Sequence, residues 1–74
     1  MTRQEKELLE SLIDRYNMAE VLNALSEIAY EKADHVRTNW NDEPLARAWE
    51  ASALAIDKAE IKTIEQLRRF IGDK

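Results

Sequence analysis

The sequence lacks cysteine and has almost none of the residues that make tight turns. Without cysteine the chain has no disulfide, no thiolate zinc site and no cysteine nucleophile, and it suits a reducing compartment. One glycine and one proline in 74 residues are too few turn residues for an all-β domain. The composition, 45% hydrophobic and 35% charged, is too apolar for a disordered chain. We therefore expect a single all-α domain over residues 1–74, because a chain this short has room for one core.

Long apolar runs are also missing. No stretch approaches the roughly 20 apolar residues that a membrane-spanning helix requires. Acidic residues interrupt the beginning of the chain, where a signal peptide would be apolar, so we expect a cytoplasmic protein. The net charge of −4 opposes general binding to nucleic-acid phosphates or to anionic lipid.

Two capping signals mark the first two helices. Thr2 is followed three residues later by Glu5, which is typical of a capping box and predicts a helix at about 3–15. Asn17 is likewise followed three residues later by Glu20, which predicts a second helix at about 18–38.

A third helix is predicted at about 43–58, because Pro44 has no amide hydrogen and fits the first turn of a helix. The short connection before it predicts an antiparallel hairpin with the second helix. The last apolar stripe lies roughly 70° round from that of the third helix, which favours a break or kink between Asp57 and Thr63 and a final helix at about 63–71. One continuous helix is the alternative. The expected fold is a small antiparallel bundle of three to four helices.

Acidic residues recur along the second helix at spacings close to whole turns. A solvated helix face is the simpler interpretation, and a docking ridge for a basic partner is the alternative. This acidic ridge consists of Glu20, Glu27, Glu31 and Asp34. The end of the chain has an excess of positive charge, and its basic patch, a weak nucleic-acid footprint, consists of Lys62, Arg68 and Arg69.

His35 is the only side chain that ordinarily titrates near neutral pH. Glu31 lies one turn before it, but Lys32 occupies the position where a di-iron motif has glutamate, and the chain has no second histidine. The serines lie in predicted helices without the glycine-rich elbow of a nucleophile. We therefore expect no catalytic, cofactor-binding or metal-binding residues and no enzyme activity.

Trp40 and Trp49 lie on either side of the predicted turn between the second and third helices. This position fits two rings that close one end of the hairpin core. An exposed ring would instead be a candidate anchor for a partner protein, because tryptophan is enriched in interface hot spots.

Large apolar residues occur on more than one face of the third helix. Its predicted core stripe consists of Leu45, Ala48, Trp49, Ser52, Ile56 and Ala59. Leu54 lies about 180° from Leu45, so it faces another chain or a segment folded back on it. Leu54 and Ile61 are the predicted self-association residues of a symmetric dimer.

Taken together, these features predict a small cytoplasmic helical protein that acts by protein–protein interaction, as an adaptor, regulator or inhibitor, without catalysis. The alternative is a nucleic-acid-binding helical protein that uses the basic patch.

Overall fold

The structure, a computed structural model, describes the backbone of residues 1–72 and the side chains of residues 1–69. These residues form three helices, α1 (Arg3–Arg15), α2 (Met18–Trp40) and α3 (Glu43–Gly72), and include no strand. The predicted all-α class is confirmed.

The predicted caps begin the first two helices. The Thr2 hydroxyl accepts a hydrogen bond from the Glu5 amide at 3.1 Å, and the Glu5 carboxylate accepts one from the Thr2 amide at 2.7 Å. The bond from the Thr2 amide holds the pKa of Glu5 below its usual value, because it stabilises the charged carboxylate. At the start of α2, the Asn17 side chain accepts a hydrogen bond from the Glu20 amide at 2.8 Å.

A two-residue turn, Asn41 and Asp42, reverses the chain between α2 and α3. Asn41 ends α2 in the left-handed conformation, with φ 53° and ψ 30°, which asparagine tolerates better than most residues. The Asp42 carboxylate accepts a hydrogen bond from the Leu45 amide at 3.1 Å and so caps α3. Pro44 lies in the first turn of α3, as predicted.

The contact between α2 and α3 is made of small side chains. The buried residues are Ser26, Ala29, Ala33 and Val36 in α2 and Ala46 and Ala53 in α3. Their spacing of three, four and seven residues is that of a two-helix coiled coil. Ala46 and Ala53 were not part of the predicted stripe, and Leu45 in that stripe is exposed. The inner face is rotated from the predicted one because closely approaching helices select small residues rather than large apolar ones.

α3 is continuous from Glu43 to Gly72, so the predicted break between Asp57 and Thr63 is wrong. Residues 58–62 contain neither glycine nor proline, and alanine, lysine and glutamate are good helix formers. The shift of the apolar stripe needs no kink, because the large side chains of the later stripe remain exposed.

The helices form one thin layer with α2 in the middle. In the described part of the chain α1 contacts α2 but not α3, and none of its residues is buried. The extents are 51 × 28 × 15 Å, and the radius of gyration is 15.1 Å, against about 11 Å for a compact domain of this length. Each broad face of the layer is therefore open.

Candidate interaction surfaces

An apolar groove with a volume of about 420 Å³ separates α1 from α2. It arises because α1 folds back along α2 without packing closely against it. The groove is lined by Leu9, Leu12, Tyr16, Glu20, Val21, Ala24, Leu25 and Ile28. Glu20 is the only charged residue among them, so the groove is suited to an apolar helix face or another apolar group.

The acidic ridge lies on one exposed face of α2. At 100° per residue, its four carboxylates fall within an arc of about 60°. Glu20 belongs both to the ridge and to the groove, so the ridge forms one rim of the groove. The ion pairs of the described residues do not include the ridge carboxylates. Their charge is therefore available to a partner.

The two predicted self-association residues lie on one face of α3. Leu54 and Ile61 are seven residues apart, which is two helical turns, and are 55% and 59% exposed. This face lies to one side of the contact with α2, since the α2-facing residue Ala53 lies about 100° round from Leu54. The structure thus brings the pair together, while self-association itself stays a prediction.

The basic patch is exposed but does not form one strip. Lys62 and Arg69 are two turns apart on the same side of α3, whereas Arg68 lies about 100° away. The three cations therefore lie on two sides of the end of α3 and do not line one phosphate-binding surface.

The two tryptophans have different environments. Trp49 is half-buried and packs against the cluster of Ala33, Val36 and Ala46. Trp40 is 67% exposed and meets the His35 ring edge-on, with ring centroids 6.5 Å apart. Trp49 therefore closes the hairpin core, whereas Trp40 retains the geometry of a candidate anchor.

Arg37 joins the end of α2 to the beginning of α3, a feature that the sequence did not reveal. Its guanidinium pairs with Glu43 at 2.9 Å and with Glu50 at 3.0 Å. These hydrogen bonds raise the pKa of Arg37 and hold the pKa of Glu43 below its usual value. Because the pairs join the two helices across the turn, this arrangement is a structural clamp.

A polar cluster lies at the middle of the α2–α3 contact. The buried Ser26 hydroxyl is hydrogen-bonded to the Asp57 carboxylate and lies 3.4 Å from the Ala53 carbonyl oxygen. Tyr30 donates to the same carboxylate at 3.3 Å, and its pKa is raised first by loss of solvation and then by that negative charge. Both side-chain bonds to Asp57 run from α2 to α3, so the cluster fixes the register of the two helices.

Among the described residues, no group of three or more histidine or carboxylate side chains lies close enough to hold a metal ion. Within the same residues, none of the helices combines the length and the apolar character needed to span a membrane. Comparison with protein-family models, with curated proteins and with solved structures finds no match for the chain.

Proposed function

We propose that the protein is a protein–protein interaction module that self-associates as a dimer, binds a basic partner and has no catalytic activity of its own. The observation that carries this proposal is the size of its surface. The accessible area is 6353 Å², whereas a compact monomer of 8.6 kDa is expected to expose about 4,700 Å². The chain thus exposes roughly a third more surface than an independent domain of its mass.

The thin layer of helices supports the same proposal. Stable domains bury the apolar side of each element between two layers. Here the buried apolar residues of the described side chains are Val36 and four alanines, which contribute little apolar area. Domains of this size with so small a core usually need a metal, a disulfide or another chain. Another chain is the solution that the exposed leucines and isoleucines favour.

The dimer is tested by mass measurement. Light scattering from the purified chain is expected to give twice 8.6 kDa. Leu54→Asp is expected to weaken the dimer and to lower its stability, because it places a charge in the proposed contact. Ala55→Asp is the matched control, because Ala55 is exposed on the adjacent position of the same helix. A Leu54→Asp chain that stays dimeric and equally stable would exclude this surface.

The acidic ridge is the proposed site for the basic partner. In affinity capture from the source cells, neutralising Glu27, Glu31 and Asp34 to their amides is expected to release a protein that the unmodified chain retains. The control neutralises the same number of carboxylates on the outer side of α1: Glu7, Glu10 and Asp14. Equal retention by all three chains would remove the ridge from the proposal.

A further inference from the structure

The apolar groove between α1 and α2 has a matching occupant in the end of α3. We propose that this groove binds the α3 arm, defined as residues 61–72, of a second copy, and that the two copies exchange their arms reciprocally. This inference rests on the dimer proposed above and adds to its Leu54 surface a contact made by the α3 arm.

The arm extends beyond the helix with which it pairs. α2 has 23 residues and ends at the two-residue turn, and α3 has 30 residues and begins there. α3 is therefore seven residues longer, which carries it about 10 Å past the start of α2. The last seven residues of α3 thus have no α2 residues opposite them.

The exposed side chains of the arm match the groove. Ile61, Ile64 and Leu67 recur every three residues and fall within an arc of about 120°. They are 59%, 40% and 44% exposed. A helix with such a stripe binds in an apolar groove through these regularly spaced side chains. The groove and the arm therefore present complementary apolar surfaces.

The arm does not reach the groove of its own chain. α3 packs on the side of α2 that carries Ala29 and Ala33, whereas Val21 and Ile28 line the groove on another side. α3 is also one continuous helix, so its arm runs straight on instead of folding back. The occupant must therefore come from a second molecule.

The charges of the two surfaces are opposite. The groove lining contains one charged residue, Glu20, and the acidic ridge to which it belongs has four carboxylates. The arm, residues 61–72, has three basic residues and one acidic residue, an excess of two positive charges. Glu20 lines the groove, Glu27 lies two helical turns further along the same ridge, and Arg68 and Arg69 lie on the arm. Bringing the two surfaces together therefore places opposite charges side by side.

The chain also exposes enough surface for a stable dimer interface. The excess surface of about 1,650 Å² per chain is about twice the roughly 800 Å² that each partner contributes to a standard interface. Under two-fold symmetry each chain contributes one groove and one arm, so the same contact forms twice and the assembly closes as a dimer.

A charge-exchange experiment tests this pairing. One variant carries Glu20→Lys and Glu27→Lys, so that both its groove rim and its arm are basic. The other carries Arg68→Glu and Arg69→Glu, so that both are acidic. Each variant alone is expected to dimerise about tenfold more weakly than the natural chain, and an equimolar mixture should form a heterodimer of nearly natural affinity. Sedimentation velocity and native mass spectrometry measure both quantities.

The control is Glu10→Lys with Asp14→Lys, which makes the same charge change on the outer side of α1. It should dimerise normally and show no preference for the Arg68→Glu, Arg69→Glu chain. Circular dichroism of each variant confirms that its helices are retained. Preferential pairing by the control would show that net charge, and not the groove rim, governs association, and would overturn the inference.

A second pair of variants tests the apolar contact. Leu67→Asp is expected to abolish dimerisation while leaving the helix content of the monomer unchanged, because Leu67 lies in the overhanging part of the arm. Gln66→Asp, on the opposite side of the arm, should have no effect. If the natural chain is dimeric but neither the mixture nor Leu67→Asp behaves as expected, the groove–arm pairing is wrong and the dimer stands. A monomeric natural chain would refute the dimer and this inference together, leaving the ridge to be judged by affinity capture.

Discussion

Replacing Ala53 by leucine tests the close contact between α2 and α3. Ala53 is fully buried, and its carbonyl oxygen lies 3.4 Å from the Ser26 hydroxyl. The three added carbon atoms have no room unless the helices separate, and separation would also break the bond from Ser26 to Asp57. Overpacking of this kind costs about 1–3 kcal/mol. The total stability of a 74-residue domain is roughly 4–11 kcal/mol, so the loss is a large share of it.

The assay is urea unfolding followed by circular dichroism, at one fixed protein concentration because self-association would shift the midpoint. With a slope of about 1 kcal/mol per molar urea, Ala53→Leu should lower the midpoint by about 1–3 M. Ala55→Leu adds the same atoms at an exposed position of α3 and should change stability by less than about 0.5 kcal/mol. An Ala53→Leu protein as stable as the natural one would refute the close packing described above, because it would mean that the contact had space for a larger side chain.

Three further predictions concern the turns and the acid range. Asn41→Gly should raise the thermal midpoint by the equivalent of about 0.5–1 kcal/mol and Asn41→Ala should lower it, since its positive φ favours glycine and penalises a Cβ. Asn17→Gly should also stabilise the fold by about 1 kcal/mol, because glycine adopts φ 144° with ψ 168° freely. The lost side-chain cap costs only a few tenths of a kcal/mol, so a destabilised variant would contradict this prediction. The folded-state pKa of Glu43 lies below its ordinary value of 4.5. Its ion pair with Arg37 therefore contributes fully to folding stability above pH 4.5, and this contribution is lost as the pH falls through the folded-state pKa. Urea midpoints measured from about pH 5 to about pH 3 should therefore fall, and fall less steeply in Arg37→Gln.

The features that the sequence predicted correctly depend on residues close to one another along the chain. The Thr2 capping box and the position of Pro44 are local signals, since each requires a partner or a conformation within one helical turn. The placement of the acidic ridge on one face follows from helical periodicity alone. The Arg37 clamp was not predicted because its pairing with Glu50 depends on the register of two helices that meet only after the chain reverses.

The groove could not be predicted for a related reason. Its existence depends on the angle at which α1 leaves α2, and this angle is set by a two-residue connection with φ 144° at Asn17. The apolar stripe of α1 predicts a contact with another element but does not say how closely the helices pack. A tightly packed α1 would bury Leu12, whereas here Leu12 is exposed and lines the groove.

The errors on α3 have one cause. Both the predicted stripe through Leu45 and the predicted break before Thr63 assume that large apolar side chains form the core of their own chain. The hairpin instead buries alanine, which lets two helices approach closely, and leaves Leu54 and Leu67 outside. Exposed apolar area of this kind lowers solubility and adds nothing to the stability of a monomer. A second chain that covers these side chains would explain their exposure. The arrangement of small residues inside and large ones outside is therefore the physical reason for proposing that this protein associates with a second chain.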